Sequence, residues 1–191
     1  MKVLFSGFEA FGGHDQNPTA LLVSALEKGV ISIPEEMTVD QIILPVTFQD
    51  SYKHLEEEII AFNPDIIICF GLAEKRDSLS LESVAVNLMD ARIPDNKGDQ
   101  PVGKKISHGG ADRYLSTLPL AGFEGALKQA GISVAQSQNA GEYVCNYLFY
   151  KLMESNQDSG RLCGFIHVPL VLSMEELKKS VEVILKYLKY E

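Results

Sequence analysis

Cys145 is the residue of this sequence whose surroundings best suit a nucleophile. The alternating stretch 132–135 before it is typical of a β-strand, and from Tyr143 onward apolar residues recur at helical spacing. Residues 140–141 form the bend between the two elements, and Asn139 is predicted to cap the helix. Cys145 then lies in the first helical turn, where free backbone N–H groups and the helix dipole stabilise a thiolate. The alternative is that Cys145 is a small buried hydrophobe.

A cysteine nucleophile needs an imidazole that accepts its proton and later returns it. Among four histidines, His167 lies near the end of a predicted strand, 161–168, and parallel sheets present site residues at such ends. A third group, often a carboxylate, would hold the imidazole in the useful tautomer, and Glu82 in the predicted strand 79–88 could do this. Each of the two residues also has an interpretation without a catalytic role. A strand histidine is usually a satisfied core residue, and a lone strand glutamate usually faces solvent.

Composition limits the class of protein and its partners. The 191 residues predict one domain, 1–191, and 46% hydrophobic residues can support a sizeable core. The net charge of −9 argues against binding to nucleic-acid phosphates or to anionic membranes. The three cysteines are an odd number without tight pairing, which predicts reduced thiols in a cytoplasm. No metal-binding motif or cofactor fingerprint is recognised, so neither a metal nor a cofactor is expected.

Predicted strands alternate with predicted helices along the chain, with no internal repeat. This order favours an α/β fold in which a largely parallel sheet lies between helical layers. The segment 101–118 is weakly patterned, and strand and loop are expected there.

The glycine-rich segment 7–13 follows the first predicted strand, 2–6. It lacks the spacing of a dinucleotide or Walker loop. Its phenylalanines, Phe8 and Phe11, are either core anchors or the walls of a flat apolar pocket at the strand end. In the polar loop 90–99, Arg92 is either an ion-pair residue or a fork aimed at an anion.

Taken together, several ordered motifs resemble the pyroglutamyl peptidase I family, also called pyrrolidone carboxyl peptidases, which are cytosolic cysteine peptidases. The resemblance covers nearly the whole chain. The motifs, in order, are Gly7–Gly13 followed by Asn17-Pro18-Thr19, Gly71-Leu72-Ala73 with Arg76 and Glu82, Asp90–Asn96, Ala140–Asn146 and Gly164–Pro169.

The resemblance implies a three-layer α/β/α fold like that of phosphorylases and hydrolases, with a mixed but largely parallel sheet. It implies Cys145 as nucleophile, His167 as general base and acid, and Glu82 as the third member of the triad. Arg92 would lie beside the cysteine and help to hold an oxyanion. Residues implied at the pyroglutamyl ring are Phe8, Phe11 and Val144 as contacts, Asn17 as a shaping residue, and the backbone near Leu72. The substrates would be N-terminally pyroglutamylated peptides, and the assembly a homodimer or homotetramer.

The chain departs from the family pattern at three places. Ala10 stands where proline is usual, so a looser pocket loop is expected. Glu74-Lys75 replaces a glycine pair before Arg76, which puts the pocket shape in question. Ser83 replaces a common arginine after Glu82.

Two rival functions stay open from the sequence. A phosphorylase-like enzyme would share the fold, but no basic cluster with glycine turns suggests a phosphate site. A non-catalytic protein that binds pyroglutamyl termini is supported only by the altered pair Glu74-Lys75.

Overall fold

A computed structural model describes residues 1–190 and contains a six-stranded sheet with helices on both faces. The strands of this sheet are β1 (Lys2–Phe8), β2 (Thr38–Leu44), β3 (Ile66–Leu72), β4 (Leu79–Glu82), β7 (Val134–Ser137) and β8 (Leu162–Val168). Strands β5 (Val84–Val86) and β6 (Arg113–Leu115) form a separate antiparallel pair. The helices are α1 (Pro18–Glu27), α2 (Asp50–Phe62), α3 (Leu120–Gln129), α4 (Val144–Ser155) and α5 (Met174–Lys189).

The sheet order is β2-β1-β3-β8-β4-β7, and every neighbouring pair is parallel except β4 with β8. Side chains alternate between its two faces because successive residues of a strand point to opposite sides. One face packs its apolar residues against α1, α3 and α5, and the other against α2 and α4. The predicted α/β class with a mixed, largely parallel sheet between two helical layers is therefore confirmed.

The strand predicted over 79–88 is wrong in its length, because the chain leaves the six-stranded sheet after Glu82. The backbone N–H and the hydroxyl of Ser83 both donate to the Ser137 carbonyl, at 2.7 and 2.8 Å. The Ser83 carbonyl instead accepts from Ser116. Strand β5 then pairs with β6, the one strand found in the weakly patterned segment 101–118. This switch leaves Glu82 as the last residue of β4, opposite Phe165 of the antiparallel neighbour β8.

Candidate active site

Strand register brings three of the predicted motifs to one face of the sheet. Leu79 and Leu81 of β4 pack on the α1/α3/α5 side, so Glu82 points to the α2/α4 side. In β8, Cys163 and Phe165 pack on that same α2/α4 side, and His167 continues the alternation. Gly71 of β3 is the register partner of His167 and shares this face.

Glu82 and His167 are in direct contact. Nδ1 of His167 lies 2.7 Å from Oε1 of Glu82, and both side chains are almost completely buried. An ionised carboxylate only accepts hydrogen bonds, so Nδ1 carries the proton and donates a hydrogen bond to Glu82. Nε2 is then the nitrogen with a free lone pair. The interpretation of Glu82 as a solvent-facing strand residue is excluded, because its side chain is buried.

The pKa values of this pair have opposing causes. Burial alone would raise the pKa of Glu82, but the hydrogen bond and charge of His167, the Ser137 hydroxyl and Arg76 together lower it below its usual value. Burial lowers the pKa of His167 and Arg76 lowers it further, although Glu82 opposes both effects. The resting pair is therefore a carboxylate beside a neutral imidazole, which is the form that can accept a proton.

Cys145 lies in the first turn of α4, as predicted, but the helix begins differently. Tyr143, not Asn139, is the N-cap residue, and its side chain makes no capping hydrogen bond. Asn139 instead accepts from the backbone N–H of Gly141 at 2.9 Å and stabilises the bend before the helix. Above the sheet, the Cys145 sulfur lies against Gly71: an ideal Cβ built on Gly71 would be 2.8 Å from Sγ. The sulfur is thus packed on the strand position adjacent to His167.

The pKa of the Cys145 thiol is shifted in the direction opposite to the one expected from the helix position alone. Burial raises the pKa of Cys145 to about 12, and the charge of Glu82 adds to this effect. Arg76 and the backbone N–H of Cys145 act in the opposite direction but do not outweigh burial. The resting thiol is therefore protonated at neutral pH. A base must remove its proton as attack begins.

Gly71 offers a direct test of this packing. A Cβ there would lie 2.6 Å from Cζ of Phe165 and 2.8 Å from Sγ of Cys145. We expect Gly71→Ala to displace the sulfur and lower kcat about 100-fold, since misplacements of about 1 Å cost that much. Overpacking should also destabilise the fold by about 1–3 kcal/mol.

The matched control is Gly125→Ala in α3, where an added Cβ has no neighbour within 4 Å. It should keep full activity and stabilise the protein by up to about 1 kcal/mol, because alanine restricts the unfolded chain. Steady-state kinetics and urea unfolding check both variants. Equal activity of the two alanine variants would contradict the close approach of Gly71 to Cys145.

A narrow apolar pocket opens beside the Cys145 sulfur. No charged side chain lines it. Its walls include all five residues predicted to surround a ring, together with three others: Phe8, Phe11, Asn17, Leu72 and Val144, with Val46, Tyr143 and Cys145. Its aromatic and apolar walls suit a flat, neutral group better than a charged one.

The loop after β1 is held in place by polar contacts from three directions. Asn17 donates from Nδ2 to the Glu9 carbonyl at 2.9 Å while its Oδ1 caps α1. Asn96 donates to the carbonyl of Ala10 at 3.0 Å. His14 contacts Glu74, in the loop after β3, at 2.5 Å. These contacts oppose the looser pocket loop expected from Ala10. Glu74 joins the loop after β3 to the loop after β1 through His14.

Sequence reasoning missed two features of the site, the contact of Arg76 with Glu82 and the place of Tyr143 in the pocket wall. Arg92 is exposed, and within residues 1–190 it makes no hydrogen bond or ion pair, whereas the guanidinium in contact with Glu82 is that of Arg76. Tyr143 lines the pocket, with its ring 6.1 Å from that of Phe11 and its hydroxyl bonded to the Pro94 carbonyl. Its position next to Val144 was the available signal, but helical spacing suggested a core residue.

No helix in the described part of the chain has the length and apolar character to span a membrane. The same residues contain no group of three or more histidine, cysteine or acidic side chains that could hold a metal ion.

Comparison with known proteins places this geometry in a family. The pyroglutamyl peptidase family model, Peptidase_C15, matches residues 1–185. A pyrrolidone-carboxylate peptidase of Bacillus amyloliquefaciens is 40% identical over 195 residues, covering 95% of this chain and 89% of that protein. One from Thermococcus onnurineus is 36% identical, covering 97% and 98%.

Solved structures agree with the sequence relatives. The crystal structure of pyroglutamyl peptidase I from Bacillus amyloliquefaciens superposes with a TM-score of 0.92 at 37% identity, covering 97% of this chain and 93% of that one. A mutant pyrrolidone carboxyl peptidase from Pyrococcus furiosus gives 0.93 at 34% identity, covering 99% of both chains. Family match, identity and superposition all extend over nearly the full length, and the chain therefore belongs to the pyroglutamyl peptidase family.

Proposed function

We propose that this chain is a cysteine exopeptidase that removes an N-terminal pyroglutamyl residue from peptides through a thioester intermediate. The observation that carries the proposal is the position of Cys145 in the wall of a pocket that has aromatic sides and no charged side chain. A peptidase that reads a free N-terminus needs an acidic anchor for the ammonium group. A 5-oxoproline ring is uncharged, so its faces suit aromatic walls and its lactam suits a few backbone groups.

In the first half of the reaction, Nε2 of His167 takes the thiol proton while the Cys145 sulfur attacks the pyroglutamyl carbonyl carbon. Glu82 stabilises the imidazolium through the Nδ1 hydrogen bond. The carbonyl oxygen becomes an oxyanion, which the unpaired N–H groups at the start of α4 can stabilise. His167 then gives its proton to the leaving amine, the carbon–nitrogen bond breaks, and a thioester is left on Cys145.

In the second half, His167 takes a proton from water, and the resulting hydroxide attacks the thioester carbonyl. Collapse of this intermediate breaks the carbon–sulfur bond, returns the proton to the sulfur and releases pyroglutamate. The bond changes and proton transfers use only Cys145, His167, Glu82 and water. The high thiol pKa makes His167 a base during attack rather than a partner in a permanent ion pair.

The ring specificity can be tested with two coumarin amides. We expect release from the pyroglutamyl amide and a kcat/KM for the prolyl amide lower by roughly 10⁴-fold or more, because proline lacks the lactam carbonyl. Fluorescence release by the purified chain measures both values. No release above background from the pyroglutamyl amide would overturn the proposal and favour a non-catalytic binding protein.

We also propose a cytoplasmic location, supported by three free cysteines, of which Cys69 and Cys163 are buried. The negative net charge supports neither nucleic acid nor anionic membrane as a partner. Assembly as a homodimer or homotetramer stays a prediction.

A further inference from the structure

Arg76 contacts the buried carboxylate of the candidate triad and the loop that leads to the nucleophile. Its Nη1 donates to Oε1 of Glu82 at 2.5 Å, the same oxygen that accepts from Nδ1 of His167 at 2.7 Å. Its Nη2 donates to the backbone carbonyl of Asn139 at 2.6 Å. We propose that Arg76 is a positioning residue of the peptidase reaction, holding Glu82 ionised and fixing it relative to the Cys145 helix. This inference rests on the proposed function.

The burial of Glu82 explains why a fixed cation is needed there. The Glu82 side chain is completely buried, whereas that of Arg76 is 27% exposed and reaches the carboxylate from the rim of the site. Burying a carboxylate is costly unless it is paired and hydrogen-bonded. A neutral His167 supplies a hydrogen bond but no charge. Arg76 is therefore the permanent positive charge that balances Glu82 in the resting state.

The second carboxylate oxygen makes the role of Arg76 more important. Within residues 1–190, Oε2 of Glu82 is buried and has no hydrogen-bond partner. Ser137 is the register partner of Glu82 on β7, and its hydroxyl lies near Asn139, 3.2 Å from that residue's backbone nitrogen. Arg76 and His167 both donate to Oε1 and orient the carboxylate, with the Ser137 hydroxyl acting on it as well. Removing the Arg76 donor weakens this orientation.

The contact with Asn139 joins the carboxylate to the nucleophile's own segment. Asn139 precedes the bend into α4, and its side chain accepts from Gly141. A planar guanidinium can donate to Glu82 and to Asn139 simultaneously because its N–H groups form a rigid fork. Lysine would keep the charge but could not hold both acceptors in this geometry. Charge and geometry can therefore be separated by substitution.

The charge of Arg76 also acts on the two groups that exchange the proton. The groups that influence both are Arg76, from the β3–β4 connection, and Glu82, from β4. Burial is the main cause of the lowered pKa of His167, and Arg76 lowers it further. Burial and Glu82 raise the pKa of Cys145, and Arg76 opposes them. Loss of this charge should therefore raise both pKa values.

The experiment compares Arg76→Lys and Arg76→Gln. We expect both to lower kcat about 10–100-fold, the range for losing one hydrogen bond to a charged group, with KM nearly unchanged since Arg76 does not line the pocket. In Arg76→Gln the acid limb of the kcat/KM profile should move to higher pH. The rate of Cys145 alkylation by iodoacetamide at pH 8 should also fall several-fold. In Arg76→Lys both of these should stay close to the unmodified protein.

The matched control is Arg161→Gln. Like Arg76, Arg161 donates to more than one acceptor, here Pro64, Asn156 and Asn63, but it does so near the opposite end of β8. It should lose stability without changing the acid limb or the alkylation rate. Circular dichroism and urea unfolding separate folding defects from changes in the site.

An unchanged kcat in Arg76→Lys would overturn the proposal. So would an acid limb and an alkylation rate that stay fixed in Arg76→Gln. If Arg76→Gln does not fold, Arg76→Lys decides through its kcat. Alkylation needs no substrate, so it tests the charge of Arg76 even if the unmodified chain hydrolyses no pyroglutamyl amide.

Discussion

Replacing Cys145 by serine should abolish release from a pyroglutamyl amide, with a loss on the order of 10⁶ in kcat as in a comparable triad. The reason is that His167 must remove a proton from the nucleophile, and burial makes that difficult even for the thiol, whose pKa is raised. A serine hydroxyl is harder still to ionise and has a shorter reach over Gly71. Initial rates of coumarin release, with enzyme concentrations adjusted over several decades, measure the loss.

Cys163→Ala is the matched control for Cys145→Ser. Cys163 is a free and fully buried cysteine at the beginning of β8, on the same face as His167 but away from the pocket. This variant should lower the unfolding free energy slightly and keep its turnover. Retained hydrolysis in Cys145→Ser, or its loss in Cys163→Ala at unchanged folding, would move the nucleophile elsewhere.

Glu82→Gln should lower kcat by about 10³–10⁴-fold, close to the loss seen when a triad carboxylate becomes an amide. The amide can present its NH₂ group to Nδ1, which turns the imidazole into the tautomer with a protonated Nε2. That nitrogen then cannot accept the thiol proton. Glu82 lies outside the pocket lining, so KM should change little. Glu142→Gln, an exposed change beside α4, should leave both constants unaltered.

The pH dependence of the unfolding free energy of Glu82→Gln tests whether the Glu82 carboxylate is ionised in the folded protein. The pKa of Glu82 is lowered in the folded chain, so its ionised form stabilises the protein above the unfolded-state value of about 4.3. This stabilisation is lost as pH falls through the folded-state pKa. Urea unfolding between pH 3 and pH 7, in steps of about one unit, should show a shallower acid dependence in the variant. Identical acid dependence would mean that Glu82 is not held ionised.

Much of the fold followed from the sequence because the local signals were strong. The continuous apolar run 65–70 predicts β3, the apolar segment 161–168 predicts β8, and Asn17-Pro18 marks the start of α1, where Asn17 caps the helix. Helical spacing predicts helices over 51–62, 120–130 and 174–190, and the termini of α2, α3 and α5 agree with these ranges to within a residue. The break after Glu82 could not be read locally, because residues 79–88 alternate throughout. Pairing of Val84 with Leu115, far along the chain, ends β4.

The site, too, has parts that the sequence determined and parts that depended on the tertiary structure. From the residues alone, the sequence determined a cysteine in a first helical turn and a histidine at a strand end, since local spacing sets both. Family motifs added Glu82 and the ring contacts. Only the tertiary structure decided that Arg76 contacts Glu82 whereas Arg92 is exposed and makes no hydrogen bond or ion pair within residues 1–190. It also decided that the Cys145 thiol is protonated, because burial depends on every element packed around the sulfur and not on its neighbours in the chain.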